Sequence, residues 1–235
     1  MSIGWNCYPG WLLRDIFSQP AYPWDWMQFF TADCLSKMLT PGGIHEVARS
    51  FEIKNVVNDT EMTQDKPHFW SDCWKIRSPH DHEKEPFLSL DDSRLKIEEK
   101  INRRLERLKC IARRKGNQVV FLGSHNSGDY GIMGYESKTY AADMATFMRM
   151  ANEALEPSQP LTLLLCSPSA IPVNADLGAQ VEDIVSIDDI SNGYFLKSRF
   201  WYEDAYYQKS ANSNREEVLR YWEVHLRDAS GKLGK

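Results

Sequence analysis

Residues 92–122 run DSRLKIEEKINRRLERLKCIARRKGNQVVFL, and this stretch decides the fold class. Ile97, Ile101, Leu105, Leu108 and Ile111 follow one another at spacings of four, four, three and three. Those spacings put them on one apolar face of a helix over 92–114, with charged residues on the other face. Gly116 closes the helix. Val119-Val120-Phe121-Leu122 then forms an unbroken apolar run, the pattern of a strand covered on both faces. A helix feeding such a strand is half of a parallel α/β unit.

The alternation continues in both directions. Toward the C-terminus, residues 138–155 read as a helix, 161–166 as a second buried strand, 182–187 as a third, and 213–228 as a terminal helix. Toward the N-terminus, residues 2–6 read as a strand and 10–18 as a helix. Residues 19–26 form a loop, because Pro20 and Pro23 forbid regular pairing. Thr31 is a candidate N-cap for a helix to Leu39, Pro41-Gly42-Gly43 ends that helix, and a short helix follows at 44–49. Residues 51–57 and 68–77, rich in aromatic and β-branched side chains, read as strands. The expected fold is α/β, with a mostly parallel central sheet flanked by helices, in a single domain over residues 1–235. The polar, irregular residues 58–90 leave room for an insertion or a flap.

Composition narrows the function classes. The net charge of -5 and pI near 5.7 give no basic excess for nucleic acid. The longest apolar run, Leu161 to Cys166, is far too short to span a membrane, and the N-terminus lacks the pattern of a secretory signal. The five cysteines are scattered without a C-x-x-C pair, which fits a reducing compartment, and a cytoplasmic location is expected. No cofactor is expected. The residues do not specify an oligomeric state.

The candidate chemistry centres on Cys7. It follows the 2–6 strand and precedes a helix, where a thiolate is favoured by the positive end of the helix. Such a nucleophile needs an imidazole and a group to orient it. His80, His82 and His125 are the available imidazoles; Asp25, Asp81, Asn126 and Asp129 are the available orienting groups. In open α/β sheets ligands bind beyond the carboxyl ends of strands, and Cys7 and His125 both follow such ends. His80 and His82, with Cys73, His68, Asp81 and Glu83 nearby, contain zinc-ligating residue types but not the spacing of a common zinc site, so no metal is expected. Trp24-Asp25-Trp26 sets a carboxylate between two indoles, either as a structural hydrogen-bond hub or as the partner of a catalytic base. Arg103, Arg104 and Arg107 lie on the long helix. They read mainly as a solvated face paired with Glu99 and Glu106. The sharper alternative is an arginine that reaches over the apolar edge to hold a carboxylate, in a substrate or in Asp25.

Taken together, these pieces resemble a family described as papain-like cysteine peptidases, found in bacteria, viruses and some eukaryotes. Its members open on S-x-G-x-N-C, matched by Ser2 to Cys7. A P-F-D-W motif follows, matched by Pro23-Trp24-Asp25-Trp26 with Trp in place of Phe. An H-D element is matched by His80-Asp81, and an arginine-rich helix ahead of a buried strand by Arg103 to Arg107 and Val119 to Leu122. The resemblance covers roughly residues 1–125. It implies Cys7 as nucleophile, His80 as its base and Asp25 or Asp81 as the acid partner, with His125 in reserve. Asn6, Trp24, Trp26, Arg104, Arg107 and Asn126 are then the candidate substrate-binding residues. The expected activity is cysteine-dependent hydrolysis of a peptide or amide. The alternative is a carbohydrate-active or glycan-binding protein in which Cys7 is structural, because some family members occur beside carbohydrate-modifying domains.

Overall fold

In the computed structural model the chain forms, in order, β1 (Ser2–Gly4), α1 (Tyr8–Phe17), β2 (Gln28–Phe29), α2 (Asp33–Lys37), α3 (Gly43–Arg49), β3 (Glu52–Asn55), β4 (Pro67–Ser71), β5 (Ile76–Ser78), α4 (Leu90–Ala112), β6 (Val120–Ser124), α5 (Ser137–Leu155), β7 (Thr162–Cys166), β8 (Ile184–Ser186) and β9 (Gly193–Leu196). The structure describes residues 2–4, 8–18, 20–25, 27–29, 33–55, 67–78, 81, 89–124, 137–166, 184–186, 193–196 and 223. The 213–228 helix expected from the sequence lies outside them, apart from Glu223.

The strands divide between two sheets. The first has the order β1-β6-β7-β9-β8, parallel from β1 to β9, with β8 antiparallel at its edge. The second has the order β2-β5-β4-β3 and is antiparallel throughout. This corrects the expected single, mostly parallel central sheet. The cause lies at residues 68–77, expected as one strand. The chain reverses there through Asp72–Lys75, so the stretch becomes the hairpin β4–β5. The Ser71 hydroxyl accepts from Trp74 N at 3.2 Å and Lys75 takes a positive φ of 49°. The two strands of a hairpin pair antiparallel with each other, and β2 and β3 extend that pair into a wholly antiparallel sheet. Residues 67–78, inside the segment that the sequence left open as an insertion or flap, are thus strands of the second sheet.

From Phe69 to Ser78, β4 and β5 bury alternate side chains, and His68 at the start of β4 is buried as well. Phe69, Ser71, Ile76 and Ser78 are buried, whereas Trp70 and Arg77 are half-exposed. Phe69 meets Phe51 edge to face at 6.3 Å.

Helix α4 joins the two sheets in one core. Ser89 caps it, with its hydroxyl accepting from Asp92 N at 3.1 Å. Its face of Ile97, Ile101, Leu105 and Leu108 is buried as the spacing predicts. These residues share one hydrophobic cluster with Phe121 and Leu163 of the first sheet and with Phe69 and Ile76 of the second. Helix α3 is held to α4 by His45 against Glu98 at 3.0 Å, and the residue leading into β3 by Arg94 Nε donating to Phe51 O at 2.8 Å. At the centre, Trp24, Phe121 and Phe147 pack edge to face, with centroids 5.9, 5.4 and 5.1 Å apart. This triad anchors the 20–25 loop onto β6 and α5. Each such pair contributes about 0.5–1.5 kcal/mol beyond area burial.

Candidate functional site

Parallel pairing sets the carboxyl ends of the first sheet in a row. Gly4, where β1 ends, pairs with Ser124, where β6 ends, and Ser124 pairs with Cys166 at the end of β7. In sequence, Trp5-Asn6-Cys7 follows Gly4, and Cys7 directly precedes Tyr8, the first residue of the ten-residue α1. His125 and Asn126 follow Ser124 directly. Asn6, Cys7, Trp26, His80, His125 and Asn126 themselves lie outside the described residues.

The described part of the candidate site is a charged cluster where the 20–25 loop and the turn at Asp81 meet α4. Asp25 is only 5% exposed. Its carboxylate accepts from Tyr22 N at 2.7 Å, closing the loop on itself, while Asp25 N donates to Tyr22 O at 3.2 Å. A buried carboxylate needs such donors, since burial without them is costly. Tyr22 is also buried, and burial together with the Asp25 charge pushes its phenol above its ordinary pKa, partly opposed by Arg107. Trp24 is 1% exposed and sits in the aromatic triad; its indole N–H has no hydrogen-bond partner among the described residues.

The two arginines turn toward this loop. Arg104 Nη1 lies 3.4 Å from Tyr22 O and 3.3 Å from Asp25 O, and Arg107 Nη1 lies 3.2 Å from Ala21 O. Both are half-buried, whereas Arg103 is exposed. Glu106, expected to pair with these arginines, instead accepts from Lys109 at 2.7 Å. Burial pulls the Arg104 guanidinium below its ordinary pKa, the charges of Asp81 and Asp25 oppose that, and Arg103 and Arg107 add to it. Arg104 is thus flanked by both candidate acid partners.

Asp81 is held on two sides. Ser78 Oγ donates to one carboxylate oxygen and Lys100 Nζ to the other. Burial works to raise the Asp81 pKa, but Lys100, the Ser78 hydroxyl and the more distant Arg104 outweigh it and hold the carboxyl below its ordinary range. Lys100 and Ser78 are the residues of the cluster that sequence reasoning passed over. Their signals were the i, i+4 spacing of Lys100 and Arg104 on one helix, and the S-x-x-D spacing of Ser78 and Asp81, which suits a local hydroxyl–carboxylate bond.

Of the residues weighed as zinc ligands, His80, His82 and Glu83 lie outside the described residues. His68 Nδ1 accepts from Arg77 Nε at 2.7 Å, and Cys73 Sγ lies 3.3 Å from Ser71 Oγ. Among the described residues no three His, Cys, Asp or Glu side chains gather as metal ligands, and no helix is long and apolar enough to cross a membrane. Comparison of the chain with protein-family models, with curated proteins and with solved structures returns no match.

Proposed function

We propose that this chain is a cysteine-dependent hydrolase of the papain-like peptidase or amidase type, with Cys7 as nucleophile. The observation that carries the proposal is the register of β1 with β6. It sets Gly4 beside Ser124, so the chain leaves toward Cys7 and toward His125 from adjacent points at the carboxyl end of a parallel sheet. That end is where open α/β sheets bind ligands. Cys7 also directly precedes α1, whose positive end favours a thiolate.

In this scheme the Cys7 thiolate attacks the acyl carbon, and backbone N–H groups of the first turn of α1 receive the oxyanion. Pro9 supplies no N–H there, so Tyr8 and Gly10 are the donors. The imidazole then protonates the leaving amine, and water releases the acyl group. The strand register favours His125 as that imidazole, with His80 as the alternative. Ser78 and Lys100 each bond one oxygen of Asp81 and so tie that carboxylate to β5 and α4. Asp25 supports the loop that carries the P-W-D-W motif.

The test is turnover of a panel of peptide anilides and simple amides by wild type, Cys7→Ala, His125→Ala and His80→Ala. Hydrolysis by wild type that drops at least ~1,000-fold in Cys7→Ala supports the scheme. The histidine variant that drops with it names the base. Hydrolysis that survives Cys7→Ala sinks it.

A further inference from the structure

Two neighbouring guanidinium groups on α4 reach the same turn and use few of their donors on it. Arg104 and Arg107 stand three residues apart on the helix, so their side chains are neighbours. Each contributes one terminal nitrogen, Nη1, to carbonyls of the 21–25 loop. The two bonds made by Arg104, at 3.3 and 3.4 Å, lie at the long end of the hydrogen-bond range. The Nε and Nη2 groups of both arginines have no partner among the described residues. A guanidinium carries five N–H donors in a planar fork that matches the two oxygens of a carboxylate or phosphate. None of these donors is among the buried side-chain atoms left without a partner, so they are reachable from solvent.

We infer that Arg104 and Arg107 form an oxyanion-binding site, taking a carboxylate or phosphate on the donors that the 21–25 loop leaves unused. As a statement about substrate it rests on the hydrolase reading and gives the substrate an anionic group. As a statement about binding it is independent of turnover. The Asp25 and Tyr22 carbonyls fix the fork from the loop side, so the anion approaches from the solvent side.

The test is made on full-length Cys7→Ala protein, so that binding is read without turnover and its outcome is separate from that of the nucleophile. Calorimetric titrations use three probes: an N-acetyl dipeptide with a free terminal carboxylate, the same dipeptide as its amide, and inorganic phosphate. Binding of the carboxylate form or of phosphate, but not of the amide, is expected, and the probe that binds identifies the anion. Arg107→Gln, which loses a single loop contact, weakens that binding roughly 10- to 100-fold. Arg104→Lys, which keeps the charge and removes the fork, weakens it comparably, with circular dichroism confirming the fold of both variants. The inference is overturned if neither anion binds at millimolar concentration, if the amide binds as well as the carboxylate, or if Arg107→Gln binds like the parent.

Discussion

Replacing Lys100 with Met tests whether the Asp81 turn is held by α4. The two side chains are only 19% and 17% exposed, so their pairing is screened far less than a surface ion pair. Met keeps most of the stem that packs along the helix and removes the ammonium. Asp81 is then left with the Ser78 hydroxyl and the more distant Arg104 charge. Removing one partner of a buried pair costs about 3–5 kcal/mol. With those two compensations, and with some access to water, the expected loss is about 2–3 kcal/mol. For a chain of this size that is a fall in Tm of about 4–12 °C. Asp81→Asn alone also destabilises, whereas the double variant recovers part of the loss, so a double-mutant cycle gives a coupling of at least ~1 kcal/mol.

Acid sharpens the same experiment. The folded Asp81 pKa lies below its unfolded value of about 3.9, so the folded state binds the proton less readily. Its contribution is complete above that unfolded value and is lost as pH falls from there through the lowered folded value. Lys100→Met therefore loses less stability than wild type on acidification across that window. Urea denaturation at several pH values measures both effects. A Lys100→Met cost under about 0.5 kcal/mol, or additive single variants, would refute the pairing as a structural tie.

Phe121→Ala removes the β6 member of the aromatic triad, and urea unfolding should show a loss of about 3–5 kcal/mol. Gly43→Ala should be among the most damaging small substitutions, by more than about 2 kcal/mol in the same assay. An added Cβ there would stand 1.8 Å from Lys37 O and 2.6 Å from Thr40 Oγ1, so the α2–α3 turn would have to open.

Much of the first sheet and of α4 could be read from periodicity, because each segment's pattern is local. Ile97 to Leu108 follow helical spacing, and the apolar runs at 119–122 and 161–166 match β6 and β7 closely. The second sheet was not readable in the same way. Its edge strand β2 has only two residues, Gln28 and Phe29, too few for any period. The aromatic run at 68–77 continues through its own turn, so Ser71 and Lys75 reverse the chain without the usual Gly or Pro mark. Strand β9, Gly193–Leu196, was likewise hidden, since four residues opening on Gly carry little strand signal.

The candidate site divides along the same line. Asp25 was legible as a buried carboxylate needing a donor, because two indoles flank it in sequence, and Tyr22 N supplies one. An α4 arginine reaching Asp25 was weighed as the sharper alternative, but that Arg104 and Arg107 would meet backbone carbonyls of that loop was not legible. Arg104 and Arg107 meet carbonyls 79 and 86 residues earlier in the chain, and helical spacing says nothing about which loop arrives at a given face. The Asp81 tie to Lys100 is a contact of the same kind, made across 19 residues.

The most direct test of Cys7 as nucleophile is its alkylation rate from pH 5 to 9 on folded protein, followed by peptide mass mapping. Three of the other thiols provide internal references: Cys73 and Cys110 are exposed, and Cys34 is fully buried. The account predicts that Cys7 labels faster than Cys73 and Cys110 at pH 5–6, where an ordinary thiol with a pKa near 8.5 is almost wholly protonated. His125→Ala should slow that labelling. Labelling of Cys7 no faster than Cys73 and Cys110 at every pH would contradict the account.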